Sequence, residues 1–162
     1  MGAKKLNSMR FLEQQGVPYE VVEYSAEIHD AAELAEVVGV PCEMVYKSLV
    51  VDSGTPGKPW LALVAADRRL DLKKLALAAG VKKLSMASHA DAEAWTGLLT
   101  GGISPLALMG KNWRVFIDQP VTTLQQFMLN AGQRGLNLRV PVTDFLRVTR
   151  ATVAEISAPA ED

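Results

Sequence analysis

The chain has 162 residues, 49% of them hydrophobic and 22% charged, with a formal net charge of −1. That composition suits one globular domain with its own core and excludes a protein that attracts polyanions by overall charge. No apolar run approaches the roughly 18 residues of a membrane span, and a single cysteine, Cys42, excludes an internal disulfide and fits a reducing cytoplasm.

The N-terminal stretch MGAKKLNSMRFLEQQG has basic residues but no continuous apolar core after them, so it reads as an amphipathic helix, not a signal peptide. Leu6, Met9 and Leu12 form its apolar stripe and Gly16 its stop. YEVVEY, residues 19–24, alternates as a strand. Asp30 with Glu33 three residues later resembles a capping box, opening a helix that ends at Gly39. VYKSLVV (45–51) and WLALVAA (60–66) are two strands of a hairpin, joined by the turn-rich DSGTPGK. Asp71 caps LKKLALAAG, KLSM is a short strand, and Ser88 with Asp91 starts another short helix.

TGGISPLALMG (100–110) suits neither a regular helix nor a regular strand, and WRVFID (113–118) is a strand. Residues 122–130 have no clean period. LNLRV is a strand, VTDFLRV a helix, and TVAEI a final short strand. Strands and helices mix without regular βα alternation, which predicts an α+β domain around a curved mixed sheet. One domain is expected over residues 1–157, with a frayed tail at 158–162.

Several chemistries lack a foothold. His29, His89 and Cys42 are too few and too scattered for a metal site, and no Walker, GxGxxG or GxSxG motif is present. Neither a metal nor a cofactor is expected. Cys42 follows Pro41 with no paired histidine and reads as an inert thiol. His29 precedes the capping Asp30 as a loop residue, His89 sits solvated at a helix start, and Trp60, Trp95 and Trp113 read as packing residues.

Two features invite function. Lys47 is in phase with Val45, Leu49 and Val51, so it shares a strand face with apolar residues. There it either faces a pocket and binds a polar group or snorkels to water at the sheet edge. Gly101 and Gly102 open a loop through Ile103, Ser104 and Pro105 that can aim successive N–H groups at a carbonyl oxygen, or can simply be a tight connection. The basic residues of 68–83, among them Lys73, Lys74, Lys82 and Lys83, form either a phosphate-guiding patch or a solvated helix face.

VYKSLVV, LDLKKLA, GGISPLA and RGLNL occur in this order and at suitable distances, and the ordered set resembles the YbaK/ProX family. These are trans-editing aminoacyl-tRNA deacylases related to the inserted editing domain of bacterial prolyl-tRNA synthetase, and the subgroup resembled is the Cys-tRNA(Pro) deacylases. The resemblance implies a mixed, barrel-like sheet flanked by helices. It also implies a key lysine at Lys47, an ester-holding loop over residues 101–105, and a pocket tyrosine at Tyr24. Implied partners are mischarged tRNA(Pro) and prolyl-tRNA synthetase, with no role for DNA or a membrane. With a tRNA substrate, the basic cluster of residues 68–83, including Lys73, Lys74, Lys82 and Lys83, is expected to contact the acceptor stem. Deacylation of another small amino acid such as alanine, or a non-catalytic tRNA- or synthetase-binding module, are the alternatives. Two positions depart from the family pattern: Ala107 stands where a glycine is common, and Asn137 where a carboxylate is usual.

Overall fold

The computed structural model describes residues 5–28 and 30–160, and the punctuation read from the sequence sets its helices. Helix α1 (Asn7–Gln14) buries Met9 and Leu12. Helices α2 (Ala31–Val38), α3 (Leu72–Ala79) and α4 (His89–Thr96) are capped by Asp30, Asp71 and Ser88, whose side chains accept from amides of the first turn. All three end on a glycine in the left-handed conformation, the residue that turns there without a Cβ clash. Helix α5 (Val142–Thr149) follows Pro141 and buries Val142 and Phe145. His29 lies outside the described residues.

Among the described residues, ten strands form three sheets. They are β1 (Glu20–Glu23), β2 (Tyr46–Asp52), β3 (Trp60–Ala65), β4 (Arg68–Leu70), β5 (Ser85–Met86), β6 (Val115–Asp118), β7 (Gln126–Gln133), β8 (Leu136–Pro141), β9 (Thr152–Ala154) and β10 (Ser157–Pro159). A five-stranded sheet runs β5-β2-β3-β6-β9, a three-stranded sheet β1-β8-β7, and β10 pairs with β4 alone. The expected β2–β3 hairpin is antiparallel, with Lys47 opposite Val64, whereas β3–β6 and β6–β9 are parallel. The architecture is the mixed α+β arrangement anticipated from the sequence.

The two larger sheets face each other across the main core. Tyr46 and Val50 of β2, Leu61 and Leu63 of β3, and Phe127 and Leu129 of β7 meet there with Phe145 of α5. The Phe127 ring lies edge-on to Tyr46 at 5.4 Å and to Phe145 at 4.9 Å. A bridge between Val45, just ahead of β2, and Met128 of β7 runs in the parallel sense.

Two departures from the sequence reading concern the chain's second half. Residues 122–130, without a clean period, end a 3-10 turn (Gln119–Thr123) and begin β7. Phe127, Met128 and Leu129 are all fully buried, so this strand has apolar cover on both faces and shows no alternation. The frayed tail expected at 158–162 is corrected for Ala158 and Pro159. Both belong to β10, where Ala158 is buried opposite Arg69. Glu161 and Asp162 lie outside the described residues.

Candidate active site

Strand parity puts Lys47, Leu49 and Val51 on the face of the five-stranded sheet that turns away from the main core. Helices α2 and α3 cover that face in separate patches. Leu34 and Ala35 of α2 pack on Val45, Ala66 and Met128, and Leu75 and Ala76 of α3 pack with Val51, Ala62 and Val64. Lys47 emerges between the two patches. Its in-phase position therefore reflects a gap in the apolar cover, not a slip of register.

A cavity of about 210 Å³ occupies the gap, lined among others by Tyr24, Asp30, Lys47, Gly101 and Asn130. It is smaller than the ~300 Å³ at which drug-sized ligand pockets begin, and suits a single amino-acid residue. Its wall along β2 is a strand edge. The Ala66 amide donates to Val45 O at 2.8 Å, so alternation directs the Lys47 backbone groups to β3 and those of Ser48 to the opposite edge. The Ser48 hydroxyl also lies buried without a partner at this edge, among the described residues. From the Val45–Met128 bridge, β2 and β7 run on in the same direction, bringing Asn130 level with Lys47.

Asn130 assembles the opposite wall. Its Nδ2 lies 3.0 Å from Gly101 O, 3.1 Å from Tyr24 Oη and 3.1 Å from Gln133 O, which share its two hydrogens. Its Oδ1 accepts from the amides of Gly132 at 2.6 Å and Gln133 at 3.0 Å. These bonds shape an irregularity in the β7–β8 ladder between Asn130 and Gln133. Arg134, just beyond, donates through Nε to Thr100 O at 2.6 Å. Two side chains of β7–β8 thus hold the glycine loop by its carbonyls.

The loop needs its glycines for different reasons. Gly101 adopts φ +89, and a Cβ on Gly102 would stand 2.9 Å from Arg134 N. Of the loop residues named from the sequence, Gly101 and Ile103 line the cavity with Lys47 and Tyr24. Gly102 is pressed against the β7–β8 turn. Ser104 is fully buried, its hydroxyl accepting from Leu106 N at 3.2 Å, and Pro105 opens a 3-10 turn on the far side.

Burial holds the Lys47 ammonium below the usual lysine range, against the opposing pull of the Asp30 and Asp67 carboxylates. Burial also pushes the Tyr24 phenol up. Among the described residues no cluster of three or more His, Cys, Asp or Glu could hold a metal ion. The lining offers the Lys47 ammonium, the Asp30 carboxylate, the Tyr24 hydroxyl and the backbone of the glycine loop around a small volume.

Residues 25–148 match the family described as the aminoacyl-tRNA editing domain. The chain belongs to that family. It is 35% identical over 156 residues to a protein of Enterococcus faecalis provisionally named a Cys-tRNA(Pro)/Cys-tRNA(Cys) deacylase, EbsC, covering 95% of this chain and 94% of that one. The Escherichia coli K12 protein named multifunctional Ser/Thr-tRNA deacylase ProXp-y is 28% identical over 141 residues, covering 86% of this chain and 84% of its own. A solved structure described provisionally as a trans-editing enzyme for prolyl-tRNA synthetase superimposes with a TM-score of 0.80 at 25% identity, covering 96% of this chain and 99% of that one.

Other groups singled out in the sequence sit elsewhere in this editing domain. Lys73, Lys82 and Lys83 are exposed. Lys74 instead turns inward, its Nζ donating to Ser157 O at 2.8 Å with Glu155 at 3.5 Å. Cys42 stands at the α2–β2 junction, where burial and nearby carboxylates push its thiol up, away from nucleophilic use. His89 is exposed on α4. Asn137, the departure from the family carboxylate, lines the cavity and is 2% exposed. Asn130 and Arg134 were not assigned roles in the sequence. The only local signal was the RG turn beside an asparagine, because every long-range partner of Asn130 lies on another element.

Proposed function

We propose that this editing domain hydrolyses the ester joining a mistaken amino acid to the terminal ribose of tRNA, acting in trans on Cys-tRNA(Pro) in the cytoplasm. The observation that carries the reading is the convergence of Lys47, the Gly101 loop and Tyr24 on one cavity of amino-acid size. Lys47 donates from its ammonium to the polar end of the substrate, and the loop backbone holds the ester carbonyl, where negative charge develops. A synthetase site separates side chains that differ by one small group by only about 1–3 kcal/mol, which is why a second pocket is needed.

Among the described residues of the cavity lining there is no cysteine or histidine, and the Ser48 hydroxyl has no hydrogen-bond partner to serve as its base. The attacking group is therefore taken to be the substrate's own thiol. It adds to the neighbouring carbonyl carbon, the bond to the ribose oxygen breaks, and the ribose leaves as a hydroxyl. Water then opens the cyclic thioester. An attacking group within the same molecule has the proximity advantage, and more of a thiol than of a hydroxyl is ionised at neutral pH.

The test is a panel of one tRNA(Pro) body charged with cysteine, alanine, serine or proline, with deacylation measured for each. The expected result is cleavage of the cysteinyl ester at least ten times faster than the others. Equal rates on cysteinyl and alanyl esters replace thiol attack by a positioned water and favour the small-amino-acid alternative. No cleavage of any ester, with tRNA still bound, returns the domain to the binding-module reading.

A further inference from the structure

The side of the domain reached through Pro105 carries a surface that the ester site does not use. Two clefts, of about 550 and 410 Å³, run together there through shared walls at Asn112, Trp113 and Arg114. Lys58, Lys111, Arg114 and Arg150 stand exposed along them, with Trp60 and Trp113 half-buried between. None of the four cations has an ion-pair partner among the described residues, whereas Lys5, Lys74 and Arg147 each do. Among the described residues no carboxylate lines either cleft. The adjoining cleft contains Asp52, and its Oδ1 already accepts from Gly54 N at 2.9 Å.

The cations are arranged around the indoles. Lys111 Nζ lies 5.3 Å from the Trp113 ring and Arg114 Cζ 4.9 Å from the Trp60 ring. The backbone contributes too. Asn112 and Arg150 are the two non-glycine residues with left-handed backbone among those described, and both line the larger cleft. In a chain of net charge −1 this is a local concentration of uncompensated positive charge interleaved with flat aromatic faces. Cations that track phosphates and rings that accept bases are what a single strand of nucleic acid requires, and a lone anion would need neither the length nor the rings.

We propose that this groove binds a single-stranded RNA segment of the tRNA substrate. The proposal rests on the reading of the domain as a tRNA deacylase and names the surface that grips the RNA. Pro105 connects the two regions, since it ends the glycine loop of the ester site and lines the larger cleft. The exposed lysines Lys73, Lys82 and Lys83, at the start of α3 and just after it, are the competing surface, and none of them lies over an aromatic ring among the described residues.

Uncharged tRNA is the probe, so the outcome is independent of which ester is cleaved or whether any is. Binding is followed by fluorescence anisotropy across a salt series from low ionic strength, for the wild-type protein and for a Lys58→Ala/Lys111→Ala/Arg150→Gly variant. Glycine suits the left-handed backbone at Arg150, so this variant keeps its melting temperature. Its affinity falls at least tenfold at low salt. Its log–log salt slope drops by about 2–3, because each lost phosphate contact removes roughly 0.7–0.9. Trp113→Leu weakens binding several-fold with the slope unchanged, as loss of stacking requires. Lys73→Ala/Lys82→Ala/Lys83→Ala stays within twofold of wild type. An unchanged slope in the groove variant, a larger loss in the Lys73/Lys82/Lys83 variant, or no salt-dependent binding by the wild-type protein overturns the assignment. Normal binding by Trp113→Leu overturns the single-strand occupant.

Discussion

At the scale of single residues, Lys47 unites the strand pattern with the chemistry. Its phase among valines was legible because β2 is a regular strand whose partners obey alternation. The choice between a pocket and the sheet edge was not legible, because the gap between α2 and α3 is made by helices distant in sequence. Lys47→Ala is expected to cut deacylation at least a hundredfold. Its melting temperature should stay within a few degrees, since a half-buried ammonium is costly to desolvate and contributes little net stability. The pH dependence follows from the direction of its shift. Burial lowers the folded-state value below the unfolded ~10.4, so between the two the unfolded chain holds more protons and stability rises with pH. Activity that needs the ammonium behaves oppositely and falls through the lowered value. Burial shifts Tyr24 in the opposite direction, so the alkaline limb is expected to come from Lys47. A rate profile of wild type beside Lys47→Arg checks this: the limb disappears in any active arginine variant, and a limb common to both assigns it to another group.

At the scale of elements, the glycine loop and the β7–β8 pair function as one unit. GGISP was recognisable as an irregular glycine loop from its composition. Its supports were not, because β7 is buried on both faces and because its irregularity is fixed by Asn130, whose partners Tyr24 and Gly101 are 106 and 29 residues away. The two ends of the Asn130 amide have different reach: Oδ1 accepts within the local turn, and Nδ2 donates to Gln133 O there but also out to the loop and Tyr24. Asn130→Asp retains the first and loses the second, facing Gly101 O with a carboxylate. It is expected to melt near wild type and to lose about tenfold or more in kcat, in line with one to two hydrogen bonds to a positioned group. Lys47 should titrate at higher pH in this variant, because an added carboxylate favours the ammonium. A purely structural role would instead lower the melting temperature and leave the alkaline limb where it was.

At the scale of the whole molecule, residues 152–159 add an edge strand to the five-stranded sheet and then pair outside it. β9 adds to β6 in parallel, and the chain reverses so that β10 pairs with β4. The clasp is polar and buried. Asp118 is 1% exposed; one carboxylate oxygen accepts from Ile156 N at 2.9 Å and the other from the Ser157 hydroxyl. Arg68 Nε donates to that hydroxyl at 3.0 Å, and Lys74 to the Ser157 carbonyl. This explains why a tail of small and acidic residues looked frayed: three-residue strands that pair across some ninety positions leave no periodic trace, and the partner of Ser157 is an aspartate at the end of another strand. It also explains why Arg68 and Lys74, counted in the sequence as part of a basic patch, face the protein. Deletion of residues 156–162 removes two donors from a buried carboxylate, and a buried charge stripped of its partners costs about 3–5 kcal/mol. The truncated chain should melt at least 10 °C lower, while Ser157→Ala, which removes the hydroxyl's bonds to Asp118 and from Arg68 but keeps the Ile156 amide, should lose about 1–3 kcal/mol. Asp118→Asn in the truncated background should recover part of the loss, because no charge is then left buried. Thermal melts of the three variants decide the matter: a truncated chain that melts with the wild type would mean the tail is frayed after all, and recovery by Asp118→Asn would identify the orphaned carboxylate as the cause of the instability.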